Sequence, residues 1–253
     1  MTRKLLTILC VLVCGMMSYH ARGQISVGAK TGVNLNQFRQ PGTTVGVNFG
    51  AYGSYQFNPW ITFKLEPHYS LEGGGRPDYY RNYSEISDNL YSVTYLNPTV
   101  RFHNLQIPLL VEVTLPELTD QTVVPFIVVG GSYALTMSSM EVHTKRYEFV
   151  DNSSSSYSSP SASLDVSYQK ENVTDNYLRN QWSLWLGMGM KVKSGERTFG
   201  FDVRYRHGLN NLNQLRFASP GNGYDIGVPG TGGNLFSSTV SLNFWMSILN
   251  LSL

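Results

Sequence analysis

His68, Tyr69 and Ser70 stand between Glu66 and Glu72. A histidine general base, a serine nucleophile and a carboxylate that orients the imidazole are the parts of an acyl hydrolase. Residues i and i+2 share one face of a strand, so Glu66, His68, Ser70 and Glu72 can all point the same way. A second constellation is electrostatic: Lys30, Lys64, Lys191, Arg204 and Arg206 set against Glu66, Glu72, Glu112 and Asp202. A third is aromatic. Tyr79, Tyr80, Tyr83, Tyr91 and Tyr95 crowd one short stretch with Arg76 and Arg81. Tyrosine among Ser, Gly and Asn suits an adaptable binding surface.

Other chemistries have weaker support. The histidines outside the first 23 residues (His68, His103, His143 and His207) have no partner at a recognised ligand spacing. Glu141 lies two residues before His143, a pair expected to be solvated in a loop. No metal site and no cofactor are expected. The glycine-rich pieces 73–75 and 230–233 do not join a strand to a helix, so they read as turns and not as phosphate cradles.

Composition narrows the classes further. The chain has 253 residues, 14% charged and 13% aromatic, with 24 Gly. Charged residues are scarce for a soluble domain. Residues 1–23 read as a signal peptide, with Arg3-Lys4 before the apolar run Leu5 to Met17 and Ala21-Arg22-Gly23 before the cut. Of 19 Lys+Arg, three (Arg3, Lys4 and Arg22) lie in that segment, so 16 remain against 17 Asp+Glu. Both cysteines, Cys10 and Cys14, lie there too. Residues 24–253 therefore form a near-neutral, cysteine-free domain. This excludes a disulfide scaffold, a thiol enzyme and a broadly basic nucleic-acid binder.

The elements that must hold these residues have period two. Apolar and polar residues alternate through 26–35, 45–57, 61–72, 104–113, 182–192, 199–206 and 240–248. The run 123–136 is strand-like but apolar on both faces, so its orientation stays open. No amphipathic helix is evident. The eight strands are joined by short connections (58–60, 115–121, 193–197) alternating with longer ones (36–43, 73–99, 138–178, 210–235). In an antiparallel meander the long connections then share one rim and the tight turns the other. The expected fold is all-β: an eight-stranded, antiparallel, up-and-down transmembrane barrel with long extracellular loops.

A soluble barrel would alternate in the same way. Two features favour the membrane. The polar face is rich in Gly, Ser and Asn, which suits a narrow interior. The apolar face is bulky, with Tyr55, Phe57, Trp60, Tyr69, Trp182 and Tyr205 near strand ends, as an interfacial girdle would be. Outer-membrane lipid is then the partner of the apolar face, and the nine charged residues above point into the lumen. An eight-stranded lumen is just wide enough for side chains to fill, so the charges read as an internal salt-bridge plug. The hydrolase reading suffers from the same geometry: His68 and Ser70 would face inward, away from a lipid substrate.

Four segments carry a family resemblance. FNPWITFKLEPHYSLEGGG (57–75), NLQIPLLVEV (104–113), DVRYRHGLNNL (202–212) and GAKTGVNLNQF (28–38) resemble, in order and spacing, strands of the PorT-like outer-membrane β-barrel family of Bacteroidetes. The resemblance implies a small barrel in the bacterial outer membrane. Its founding member is tied to type IX protein secretion, so it also implies envelope secretion components as partners. The chain departs from many outer-membrane barrels in ending Leu249-Asn250-Leu251-Ser252-Leu253, without a terminal aromatic. A non-enzymatic scaffold or accessory subunit is the expected function. Surface binding through the tyrosine-rich loops and a lipid-modifying hydrolase are the alternatives.

Overall fold

The computed structural model describes residues 23–38, 42–75, 79–82, 90–115, 122–149, 162–212 and 235–252. The signal-peptide segment 1–22, Tyr83 and the serine run Ser153 to Ser159 lie outside them. Among the described residues eleven strands follow in order: β1 (Gln24–Phe38), β2 (Thr43–Gln56), β3 (Ile61–Leu65), β4 (His68–Gly75), β5 (Tyr79–Asn82), β6 (Leu90–Thr114), β7 (Val123–Phe149), β8 (Ala162–Asn172), β9 (Asn180–Ser194), β10 (Arg197–Gly208) and β11 (Ser237–Ser252). The one helical element among the described residues is a 3-10 turn, Thr174–Asn176.

The antiparallel pairings close into a ring of eight positions. β1 pairs with β2, β2 with β3 and β4, these with β6, then β7, β9, β10 and β11, which returns to β1. Closure removes every sheet edge inside the lipid, where an unpaired backbone group has no water to bond. β3 and β4 are two halves of one wall strand, interrupted at Glu66-Pro67. Pro67 has no N–H to give the ladder, yet its carbonyl accepts from Ala51 N at 3.1 Å, and Glu66 N donates to the Pro108 carbonyl at 3.1 Å.

Alternation sorts the two faces as period two requires. Residues such as Phe49, Leu109, Leu186, Met188 and Leu242 are exposed, while Lys30, Glu66, Asn104, Asp202, Arg204 and Asn243 are buried inside the ring. An apolar exterior around a polar interior is the membrane arrangement. β7 settles its own orientation: Val124, Phe126 and Val128 point inward and are buried, whereas Ile127 and Val129 face out.

The turns at one rim are tight. At 57–61, Asn58 Oδ1 accepts from the backbone N–H of Trp60 (2.9 Å) and Ile61 (2.7 Å), the local capping that makes Asn a turn residue. At the β9–β10 hairpin, Gly195 has φ +58°, a conformation most side chains resist.

Two long connections are shorter than the alternation suggests. β6 already begins at Leu90 and β7 runs on to Phe149, and the two stay paired over this added length. β8 and the 3-10 turn occupy part of the stretch expected to be loop from 138 to 178. Above Leu135, β7 exchanges one neighbour for another: its first half pairs with β9, its second half with β8. Where both faces of a strand leave the lipid, neither has to be apolar, and the period-two hydropathy signal disappears although the strand continues.

Candidate functional site in the barrel lumen

The nine charged residues assigned to the interior form three groups stacked along the barrel. Nearest the tight-turn rim, Glu112 takes Lys191 Nζ at 2.6 Å on one oxygen and Lys64 Nζ at 2.7 Å on the other. The Lys64 ammonium also lies 4.0 Å from the centroid of the Trp245 ring and 5.2 Å from that of Phe126. Such placement over an aromatic face attracts a cation.

The central group is built on Glu66. Arg204 spans both carboxylate oxygens, Nη1 to Oε2 at 2.6 Å and Nη2 to Oε1 at 3.0 Å, and Lys30 Nζ donates to Oε2 at 2.7 Å. The guanidinium turns its other edge to Asp202, with Nε 2.7 Å from Oδ1 and Nη2 donating to Oδ2 at 2.7 Å. Asp202 is completed by Asn243 Nδ2 (2.8 Å) and Trp245 Nε1 (3.2 Å). Bidentate pairing fits the planar guanidinium fork.

Further up, Glu72 accepts from Arg206 Nη2 (2.5 Å), Asn104 Nδ2 (2.9 Å), Ser70 Oγ (3.1 Å) and Gln106 Nε2. Neutral amides and hydroxyls carry the network around the wall. Asn34 donates to Ser70, Asn48 to Asn34 and Asn243, and Gln181 to Thr136, which donates to Asn104. This is the geometry buried charge requires: each ion has an opposite partner, and most carboxylate oxygens have further donors.

Two apolar layers flank the central Glu66 group. Tyr52, Leu110, Phe126, Val128, Trp185 and Trp245 form one toward the tight turns. Phe38, Val100, Phe102, Val173, Tyr177, Leu212 and Leu235 form the other at the opposite end. Tyr177, read from the sequence as part of a loop, is buried there with its ring edge-on to Phe102 at 4.9 Å. Glycine makes room for the lower layer. A Cβ on Gly200 would lie 1.9 Å from the Trp245 indole, and one on Gly28 would lie 2.5 Å from the Tyr52 ring.

A closed eight-position ring with lipid-type exterior and ionic interior identifies the architecture, and one comparison decides the family. A family model described as "Outer membrane protein beta-barrel domain" matches residues 18–214. The chain belongs to this family. The protein is therefore an outer-membrane β-barrel of the bacterial envelope.

Solved structures with a similar fold include Neisserial surface protein A (9% identity, TM-score 0.39, covering 89% of this chain and 96% of that one). OprG of Pseudomonas aeruginosa is another (10% identity, TM-score 0.39, covering 91% and 96%). A third is Ail, the attachment invasion locus protein of Yersinia pestis (10% identity, TM-score 0.36, covering 91% and 100%). No curated protein matches the sequence.

Within this outer-membrane barrel the remaining candidates separate cleanly. His68 and Ser70 share the inner face as expected, but they do not engage each other. His68 Nδ1 is held 2.7 Å from the carbonyl oxygen of Glu66, and Ser70 Oγ donates to Glu72 while accepting from Asn34 Nδ2 at 2.9 Å. The serine hydroxyl is thus committed to a carboxylate, not to a base.

Glu141 and His143 correct the sequence reading. They lie on β7, not in a solvated loop, and both are buried, with His143 Nδ1 3.2 Å from Glu141 Oε1. Tyr79 and Tyr80 belong to β5, and Tyr91 and Tyr95 to β6, so these four are strand residues and not loop residues. The backbones of Tyr79 and Tyr95 are direct cross-strand partners.

The aromatic lower layer was not anticipated as a unit. Its signal was present: Trp185 and Trp245 stand on the polar alternate of their strands, where bulky residues are out of place unless something small lies opposite.

Proposed function

We propose that this barrel is a non-enzymatic scaffold or accessory subunit of the outer membrane, and that its lumen is a structural plug. The observation that carries this reading is the Lys30–Glu66–Arg204–Asp202 network, closed by direct contacts of 2.6–3.0 Å and bracketed by apolar layers. A lumen filled in this way has no continuous water column to conduct ions. The four PorT-like segments support an envelope role in type IX secretion, with secretion components as partners.

The test has two parts. Planar bilayers containing the purified protein should show no stable single-channel steps; steady, reproducible steps would overturn the plug. Affinity pull-down from crosslinked outer membranes, read by mass spectrometry, should recover envelope secretion components in stoichiometric amounts. Recovery of the barrel alone removes the secretion role.

A second reading, surface binding through Tyr79, Tyr80, Tyr91 and Tyr95, draws on their strand placement. Paired backbones hold Tyr79, Tyr80 and Tyr95 at fixed spacing, which lowers the ordering cost of binding. Substituting Tyr79 and Tyr95 by Ala should then abolish adhesion while secretion persists.

A further inference from the structure

A cavity of about 90 Å³ opens among the strand ends at the tight-turn rim, where Gln24 and Gln56 stand at its mouth. Its walls carry three ammonium groups, Lys64, Lys191 and Lys193, and one carboxylate, Glu112. Glu112 takes Lys64 and Lys191 together, one on each oxygen, so this trio alone carries a net positive charge. The lining is therefore cationic in sum, inside a wall of low polarisability where charge imbalance is felt strongly.

Two groups on this wall have hydrogen-bonding capacity left over. The Tyr52 side chain lines the cavity and is 3% exposed, and its hydroxyl has no hydrogen-bond partner among the described residues. Lys64 Nζ gives one of its three N–H groups to Glu112 Oε2 at 2.7 Å, which leaves it further donors to offer. A buried donor left unmade is costly, and the unpartnered Tyr52 hydroxyl lines the same space as the Lys64 ammonium. Ser54, Thr62 and Thr198 are among the hydroxyl residues that also line it.

We infer that this vestibule is a binding site for one free small oxyanion, of phosphate or carboxylate type. The anion would accept from Tyr52 Oη and from the Lys64 and Lys191 ammoniums, while Trp245, under Lys64, forms the floor. Charge-assisted donors of this kind favour an ionised acceptor over water. The volume holds several waters or a single small ion, which excludes a lipid headgroup with its glycerol.

The test uses the full-length protein, folded in uncharged detergent micelles, with inorganic phosphate and then acetate as probes. Calorimetric titration should show saturable one-site binding that weakens as sodium chloride is raised. Lys191→Gln should weaken it about tenfold and Tyr52→Phe severalfold. Both variants should keep the compact gel mobility of a folded barrel. Tyr52→Phe removes only the hydroxyl, so a folded variant with weaker binding isolates the donor from the packing. Absence of saturable binding for both probes overturns the proposal and leaves a water-filled recess. Equal affinity in the wild type and both variants overturns it as well.

Discussion

Arg204 and Glu66 meet across the lumen through two parallel hydrogen bonds, although 138 residues separate them in the chain. They come from opposite sides of the ring, β10 and the junction of β3 with β4. The pair acts as a crossbar, and Lys30 and Asp202 tie it to β1 and back to β10.

Removing one end of this crossbar leaves buried charge without compensation. Glu66→Gln is expected to destabilise the barrel by about 3–5 kcal/mol, measured as the shift in urea unfolding of protein reconstituted in lipid vesicles. Asp175→Asn provides the contrast. Its Arg179 partner is an exposed neighbour four residues away, and its loss should change stability by less than about 1 kcal/mol.

Gly200→Ala tests the packing beneath Trp245. The added Cβ would sit 1.9 Å from the indole, and overpacking of this kind costs about 1–3 kcal/mol. Trp245→Leu in the same chain should recover part of that loss. An unfolding midpoint for Gly200→Ala equal to that of the wild type would show that the indole moves aside freely.

The outer face should be sensitive to charge by depth. Met188 is 68% exposed and lies midway along β9, whereas Val192 on the same strand is close to the tight turn. Met188→Arg should cost about 2–4 kcal/mol and Val192→Arg about 0–1 kcal/mol, both read from unfolding in vesicles. Equal costs would place the lipid boundary elsewhere.

Ser70→Ala separates structure from catalysis. Its hydroxyl donates to Glu72 and accepts from Asn34, so its loss should reduce stability by about 1–3 kcal/mol. Mass spectrometry of lipid A should show an unchanged acylation pattern; an altered pattern would revive the hydrolase reading.

Much of this arrangement is written in the alternation of residue types. Leu105, Ile107 and Leu109 face lipid while Asn104, Gln106 and Pro108 face in, and this side-chain facing alone assigned all nine lumenal charges. Three things escaped it. The 123–136 run is ambiguous because its inner face is apolar as well: Val124, Phe126 and Val128 are all buried, the last two in the layer that holds Trp245, so both faces look alike. The strand continuations 90–103 and 138–149 are hidden because hydropathy contrast exists only where one face meets lipid; Glu141 and His143 point inward there with no apolar outer run to mark the phase. The network's connectivity depends on register across strands far apart in sequence, as between Arg204 and Glu66, and no local pattern encodes it.

The exchange of neighbours along β7 has a mechanical consequence. A tilted strand needs only about 9–11 residues to cross the hydrocarbon layer, while β7 has 27 residues and its partner β6 has 25. At about 3.3 Å per residue, well over a dozen residues of each continue past the lipid as a paired ribbon, with β8 and β5 added alongside. Such a ribbon is a stiff mast. Whatever it carries is held at a set height above the bilayer and in a set direction relative to the barrel axis, so reach is determined by hydrogen-bond register and not by the wandering of a tether.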